Sequence, residues 1–144
     1  MTVTTCGIYL YSTRTNSILI CHATNARWNQ WSIPKGLKEG NEDTMEVAKR
    51  ELAEETGLKF ENIHVSEIFR LPPVRYKKQN KTLESLLILT DSDFEGFEYK
   101  SNMTSKQGVA EVDSWKWVSL SEAKKWLHET QVENIDQIKK LIKS

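Results

Sequence analysis

The chain has 144 residues, of which 38% are hydrophobic, 9% aromatic and 28% charged, the size and profile of one globular domain with a core of its own. Its 20 basic side chains balance 20 acidic ones, which argues against bulk electrostatic capture of nucleic acid or anionic membrane. No apolar run approaches the roughly 18 residues of a membrane-spanning helix, and the N-terminus has neither a basic lead nor a small-residue cleavage site, so no secretory signal is expected. Cys6 and Cys21 are the only cysteines and form neither a CxxC pair nor a Cys/His zinc pattern. They read as reduced thiols in apolar strands, which makes a cytoplasmic location the expectation.

In chain order, 5–11 and 17–23 read as two strands joined through the polar stretch Ser12–Asn16. A loop with Asn25, Asn29 and Gln30 leads to Trp31-Ser32-Ile33-Pro34-Lys35-Gly36, where proline and glycine predict an irregular segment. A helix is expected over 43–56, with Asp43 as N-cap, Glu46 as capping-box partner and Gly57 as left-handed C-terminal residue. Residues 63–71 and 83–90 read as strands, separated by Pro72-Pro73 and a basic stretch. Residues 91–108 form a long polar loop with room for a short strand, and Trp115–Ser119 reads as the last strand. Ser119 with Glu122, and Thr130 with Glu133, have capping-box spacing and predict two closing helices. This order predicts an α/β fold: one mixed sheet with helices on both faces.

Chemistry concentrates in 36–58. On a helical wheel with Glu51 at zero, Glu55 falls near 40° and Glu54 near 300°, so three carboxylates share one face, next to an apolar stripe of Met45, Ala48 and Leu52. Such a face is either solvated or neutralised. A divalent cation neutralises it well, because Mg²⁺ prefers carboxylate oxygens and is commonly shared with substrate phosphates. Arg50 lies beside Glu54 and is also placed for an i,i+4 pair with it.

Gly36, Glu42 and Arg50-Glu51-Leu52-Ala53-Glu54-Glu55-Thr56-Gly57-Leu58 match G-x5-E-x7-R-E-U-x-E-E-x-G-U, with U a bulky apolar residue, at every fixed position. This segment resembles the Nudix box. The resemblance implies an α/β/α sandwich over 1–144 and an Mg²⁺- or Mn²⁺-dependent hydrolase of nucleoside diphosphates linked to another group. It implies Glu51, Glu54 and Glu55 as metal ligands with the Gly36 carbonyl, Arg50 as the residue that orients them, Glu42 as a weaker ligand candidate or loop support, and Leu52 and Leu58 as core.

Trp31-Ser32-Ile33-Pro34-Lys35-Gly36 is similar to the W-x-x-P-K-G segment of asymmetric dinucleoside tetraphosphate hydrolases. Lys81-Thr82 looks like the Lys-Thr that leads into a strand in that group, and Glu111-Val112-Asp113-Ser114-Trp115-Lys116-Trp117 resembles its late loop. These likenesses imply phosphate contacts from Lys35 and Lys81 and a role for Glu111 as extra metal ligand or general base, with Glu54 and Glu98 as the other candidates for the base. The chain departs from that group at Asn29-Gln30, Ser85 and Val112, so a base-stacking residue is expected elsewhere, with Tyr76 and Trp28 as candidates. The run Arg70, Arg75, Lys77, Lys78 and Lys81 reads either as a solvated loop or as a polyphosphate clamp. His22, His64 and His128 receive no role.

The expected partner is a small nucleotide polyphosphate such as diadenosine tetraphosphate, with neither membrane nor nucleic acid expected and a monomer or dimer as the assembly. The alternatives are a pyrophosphohydrolase acting on RNA 5′ ends, on ADP-ribose or on nucleoside triphosphates, and a nucleotide-sensing domain without turnover.

Overall fold

The alternation of one strand sets the layering. In the computed structural model, which describes residues 3–102 and 110–143, β1 (Val3–Ser12) sends Ile8 and Leu10 to one face and Tyr9 and Tyr11 to the other, as the two-residue period of a strand requires. β6 (Lys81–Thr90) runs parallel to β1 from Val3 opposite Lys81 to Ser12 opposite Thr90. Outside this central pair, β4 (Val65–Arg70) pairs with β6, and β2 (Ser17–Ala23) with β1 and with β7 (Val112–Val118), all antiparallel. The sheet order is β4-β6-β1-β2-β7.

The first face is covered by α1 (Thr44–Thr56), whose Ala48 and Leu52 pack on Ile8, Leu10, Leu19 and Ile88. Asp43 caps it by accepting the Glu46 amide hydrogen at 2.8 Å, and Gly57 closes it at φ 83°. The opposite face carries α2 (Leu120–Trp126), α3 (Glu129–Val132) and α4 (Ile135–Lys143), with Leu120, Ala123, Ile135 and Ile138 packed on Tyr9, Ile18 and Ile20. The expected α/β/α sandwich is the fold. No helix among the described residues is long and apolar enough to cross a membrane. Cys6 and Cys21 are buried free thiols whose pKa values burial pushes up.

Four readings are corrected. The segment 31–37 is not irregular: β1 and β2 part company, and this segment fills the gap. Cys21 exchanges backbone hydrogen bonds with Ser32, the Ile8 amide donates to the Pro34 carbonyl, and β3 (Lys35–Leu37) pairs with β1. Gly7 permits it, since a Cβ there would stand 2.9 Å from Ile33 Cδ1 and 3.0 Å from the Pro34 oxygen. A two-residue β5 (Val74–Arg75) follows the proline pair and pairs with β6. The last strand starts at Val112 rather than Trp115. Thr130 is not an N-cap but lies inside α3, which His128 caps by accepting the Thr130 amide hydrogen through Nδ1 at 3.1 Å. In the long loop, 91–102 form no strand, while 103–109 lie outside the described residues.

Gln131 ties the wedge to the helical layer. Its Oε1 accepts the Ile33 amide hydrogen at 2.9 Å, its Nε2 donates to Ser32 Oγ at 3.0 Å, and its carbonyl accepts the Tyr9 hydroxyl at 2.6 Å. It is 1% exposed, so truncation strands a buried amide. Gln131→Ala is expected to lower unfolding free energy by about 1–3 kcal/mol in urea melts, with the Tyr9 contact, made to backbone, retained.

Candidate active site

The inserted strand and α1 together build an acidic cleft wall. Gly36 in β3 faces α1 so closely that a Cβ on it would lie 1.8 Å from Glu51 Oε1; the missing side chain is the space the carboxylate occupies. One residue earlier, the Lys35 amide donates to Glu55 Oε1 at 3.3 Å. Glu55 therefore sits behind β3, and burial pushes its pKa up to about 8, opposed by Lys35 and reinforced by the charges of Glu51 and Glu111. Burial likewise pushes Glu51 up to about 7, helped by its hydrogen bond with Glu54 and that residue's charge and opposed by Arg50.

Arg50 is the one cation lying within α1's acidic stripe. Its guanidinium pairs with Glu42, donates to the Leu37 carbonyl at 3.2 Å, and approaches Glu51 at 3.6 Å and Glu54 at 3.9 Å. Glu42 also accepts the Glu39 amide hydrogen at 3.0 Å, so it braces the loop between β3 and α1. Glu51, Glu54 and Glu55 fall in the C-terminal half of a helix with no basic residue in its last turn, where the helix dipole disfavours anions.

The long loop and the strand that follows it supply three contacts that sequence reasoning missed. Lys100 and Asn102 donate backbone amides to the carbonyls of Thr56 (3.0 Å) and Glu54 (2.6 Å), and Trp115 Nε1 donates to the Glu55 carbonyl at 2.6 Å. They satisfy the free carbonyls at the end of α1 and hold the acidic residues against the sheet. No sequence signal marks them, because the contacts are to backbone.

The residues singled out for substrate are brought together only in part. Lys35, Tyr76 and Lys81 line one cleft of about 570 Å³ with Lys125 and His128. Lys81 Nζ stands 4.9 Å from the Tyr76 ring centre, and its pKa is lowered by burial and by the charge of Lys35. Tyr76 is 8% exposed and tilted against His128 at 5.6 Å, so it forms cleft wall rather than an open stacking platform. Trp28 is 61% exposed and packs on His22 and Trp31. The basic run does not act as one clamp: Arg70 donates to Thr44 beside α1, Arg75 donates to Asn80, and Lys81 alone of the run lines the cleft. Glu111 is exposed, its carbonyl accepting the Thr24 amide hydrogen at 3.0 Å, and its charge reaches Glu55. Glu98 is exposed between Phe97 and Tyr99, which line a different cavity.

A family comparison now decides the relationship. The NUDIX domain model matches residues 1–140. The chain belongs to the Nudix family of hydrolases. In sequence it is 28% identical over 119 residues to the RNA pyrophosphohydrolase of Bartonella henselae, covering 72% of this chain. The match spans 65% of that protein's length and 17% of a second relative's. In structure it resembles the Ap4A hydrolase of C. elegans in a binary complex (TM-score 0.73, 19% identity, 96% of this chain and 98% of that one). It equally resembles the NUDIX domain of Shewanella oneidensis NrtR complexed with ADP ribose (TM-score 0.73, 16% identity, 99% and 89%). At these identities the structural likeness is one of fold.

Nudix hydrolases use divalent metal ions, and the residues here suit one. Among the described residues no three acidic, histidine or cysteine side chains already converge on a single point. Yet the donors are all oxygen, and burial with mutual charge makes the ionised forms of Glu51 and Glu55 costly, a cost that a hard cation relieves. Glu51 and Glu55 bind protons more tightly folded than unfolded, where a glutamate titrates near 4.3. Their contribution to stability is therefore greatest below that value and is lost as pH rises through about 7 and about 8. In chelator, the urea midpoint is expected to be lower near pH 8.5 than near pH 5.5, and Glu55→Gln is expected to flatten the difference.

Proposed function

We propose that the chain is a metal-dependent pyrophosphohydrolase acting on a nucleoside diphosphate linked to another group, with dinucleoside polyphosphates such as diadenosine tetraphosphate as substrate. One observation carries this reading: Lys35 puts its backbone on Glu55 and its side chain in the cleft that Lys81 also lines. Anionic phosphate is thereby drawn toward the acidic cluster along its lysine-bordered side. Glu51, Glu54 and Glu55, with the Gly36 carbonyl, would hold Mg²⁺ or Mn²⁺. When bound, the cation supplies charge neutralisation for the polyphosphate and acidifies coordinated water.

The remaining work falls to this chain's own groups. Lys35 and Lys81 bind the phosphate chain through charge-assisted hydrogen bonds and hold it extended along the cleft. Arg50 positions Glu51 and Glu54 and limits their mutual repulsion. Glu111, exposed and close enough to act on Glu55, takes the proton of the attacking water. Water adds to the phosphorus that becomes AMP, the bridging P–O bond breaks, and its electron pair leaves on ATP.

A second reading is supported by the sequence likeness to an RNA pyrophosphohydrolase. Lys77 and Lys78 are exposed on the turn that carries Gln79 into the cleft, where they would meet an RNA backbone. The balanced net charge favours the small substrate.

Product analysis separates the two. With Mg²⁺ in heavy-oxygen water, diadenosine tetraphosphate is expected to give ATP plus AMP with the label in AMP. Label in ATP contradicts the attack site, and faster release of pyrophosphate from triphosphorylated RNA favours the second reading. Lys81→Met is expected to raise KM by about 10- to 100-fold with a smaller change in kcat, the loss of one hydrogen bond to a charged group.

A further inference from the structure

A second cavity, larger than the cleft just described, lies elsewhere in the described structure. It measures about 820 Å³ and lies between the β1–β2 hairpin, the loop 92–99 and the end of β7, in the size range of small-molecule sites. Four aromatic residues line it: Phe94, Phe97, Tyr99 and Trp117. None is buried, and Phe97 is 39% exposed. They are nonetheless ordered against one another. Phe94 stacks on Trp117 at 5.1 Å and 27°, Phe97 meets Tyr99 edge-on at 4.9 Å, and Trp117 Nε1 donates to the Tyr99 hydroxyl at 2.7 Å. Phe94, Tyr99 and Trp117 pack one side on the core beneath α1, and their free edges, with the exposed Phe97, leave an ordered aromatic surface in contact with water.

Charge defines what the surface accepts. Asp93, Glu95 and Glu122 stand among the lining residues, and the single cation, Arg14, is paired with Asp93 at 3.7 Å. The catalytic cleft is the reverse, with Lys35, Lys81 and Lys125 against Glu129. A phosphate group is therefore attracted to one cavity and repelled from the other. Flat rings with hydrogen-bond donors, by contrast, find a stacking partner in Phe97, the exposed ring of the four, beside Tyr99 and Trp117, each stacked on another ring, and acceptors in the carboxylates.

We propose that this cavity is a second binding site, for a planar heteroaromatic molecule that carries amino donors and no phosphate, a purine nucleoside or free base. The ring stacks on the Phe97–Tyr99–Trp117 surface, and its amino group donates to the acidic rim.

The test uses the whole protein without metal or polyphosphate. Adenosine is titrated while ¹H–¹⁵N spectra follow the Trp117 indole resonance, assigned with Trp117→Phe. The expected result is a saturable shift of that resonance, with AMP binding at least about fivefold more weakly. Phe97→Ser is expected to weaken adenosine by about tenfold, the scale of one lost stacking partner, and Phe97→Leu to do the same while keeping an apolar side chain. Because the same spectra report folding, a variant that lost its structure would be recognised and the other used. No saturable shift, AMP binding as tightly as adenosine, shifts confined to Tyr76 and Lys81, or unchanged affinity in both Phe97 variants would each overturn the proposal.

Discussion

The active site depends on acids that α1 and β3 press together. Glu55 lies behind the Lys35 amide and Glu51 in the space left by Gly36, both at the helix end where the backbone dipole already opposes negative charge. Arg50 relieves part of the repulsion at Glu42, Glu51 and Glu54 and does not reach Glu55. The rest of the fold serves this arrangement. The parting of β1 and β2 admits β3, Gly7 lets it approach, and Gln131 fastens the preceding wedge to the opposite helical layer. Burial and mutual charge make the ionised forms of Glu51 and Glu55 costly, and a bound cation is what would relieve that cost.

Electrostatics also divides the two cavities. Lysines border the one next to the acidic cluster, and carboxylates border the aromatic one. The loop that reaches from the aromatic cavity to α1 runs from Tyr99 to Lys100 and Asn102, and these last two place backbone donors on the last turn of the helix. The two regions share this element while presenting opposite charge.

Much of this was legible in the sequence because it rests on periodicity. The α1 face repeats at three and four residues, and its caps are side chains of fixed type, so Asp43, the glutamates and Gly57 fell where spacing put them. The strands that form the two cores carried the apolar alternation that marked them. What escaped was set by neighbours. β3 is three residues of low strand propensity, held by the gap between β1 and β2 rather than by its own composition. Thr130 has the right spacing for a cap, but His128 caps α3 two residues earlier and buries Thr130 in the helix. The basic run looked continuous in one dimension. The pleat and the β5–β6 turn send Arg70 toward α1 and Lys81 toward the cleft. Tyr76 was legible as a cleft residue and not as a buried one, because its cover comes from His128, more than 50 residues away.

The central claim is that the acidic cluster beside β3 is a cation site, and Mn²⁺ bound to crystals of the protein tests it most directly. Anomalous scattering is expected to place the ion at the carboxylates of Glu51, Glu54 and Glu55 beside the Gly36 carbonyl, with Arg50 keeping its contact to Glu42. An ion bound elsewhere, or none at saturating Mn²⁺ with Glu51 and Glu55 still turned to Arg50 and Lys35, would contradict the account.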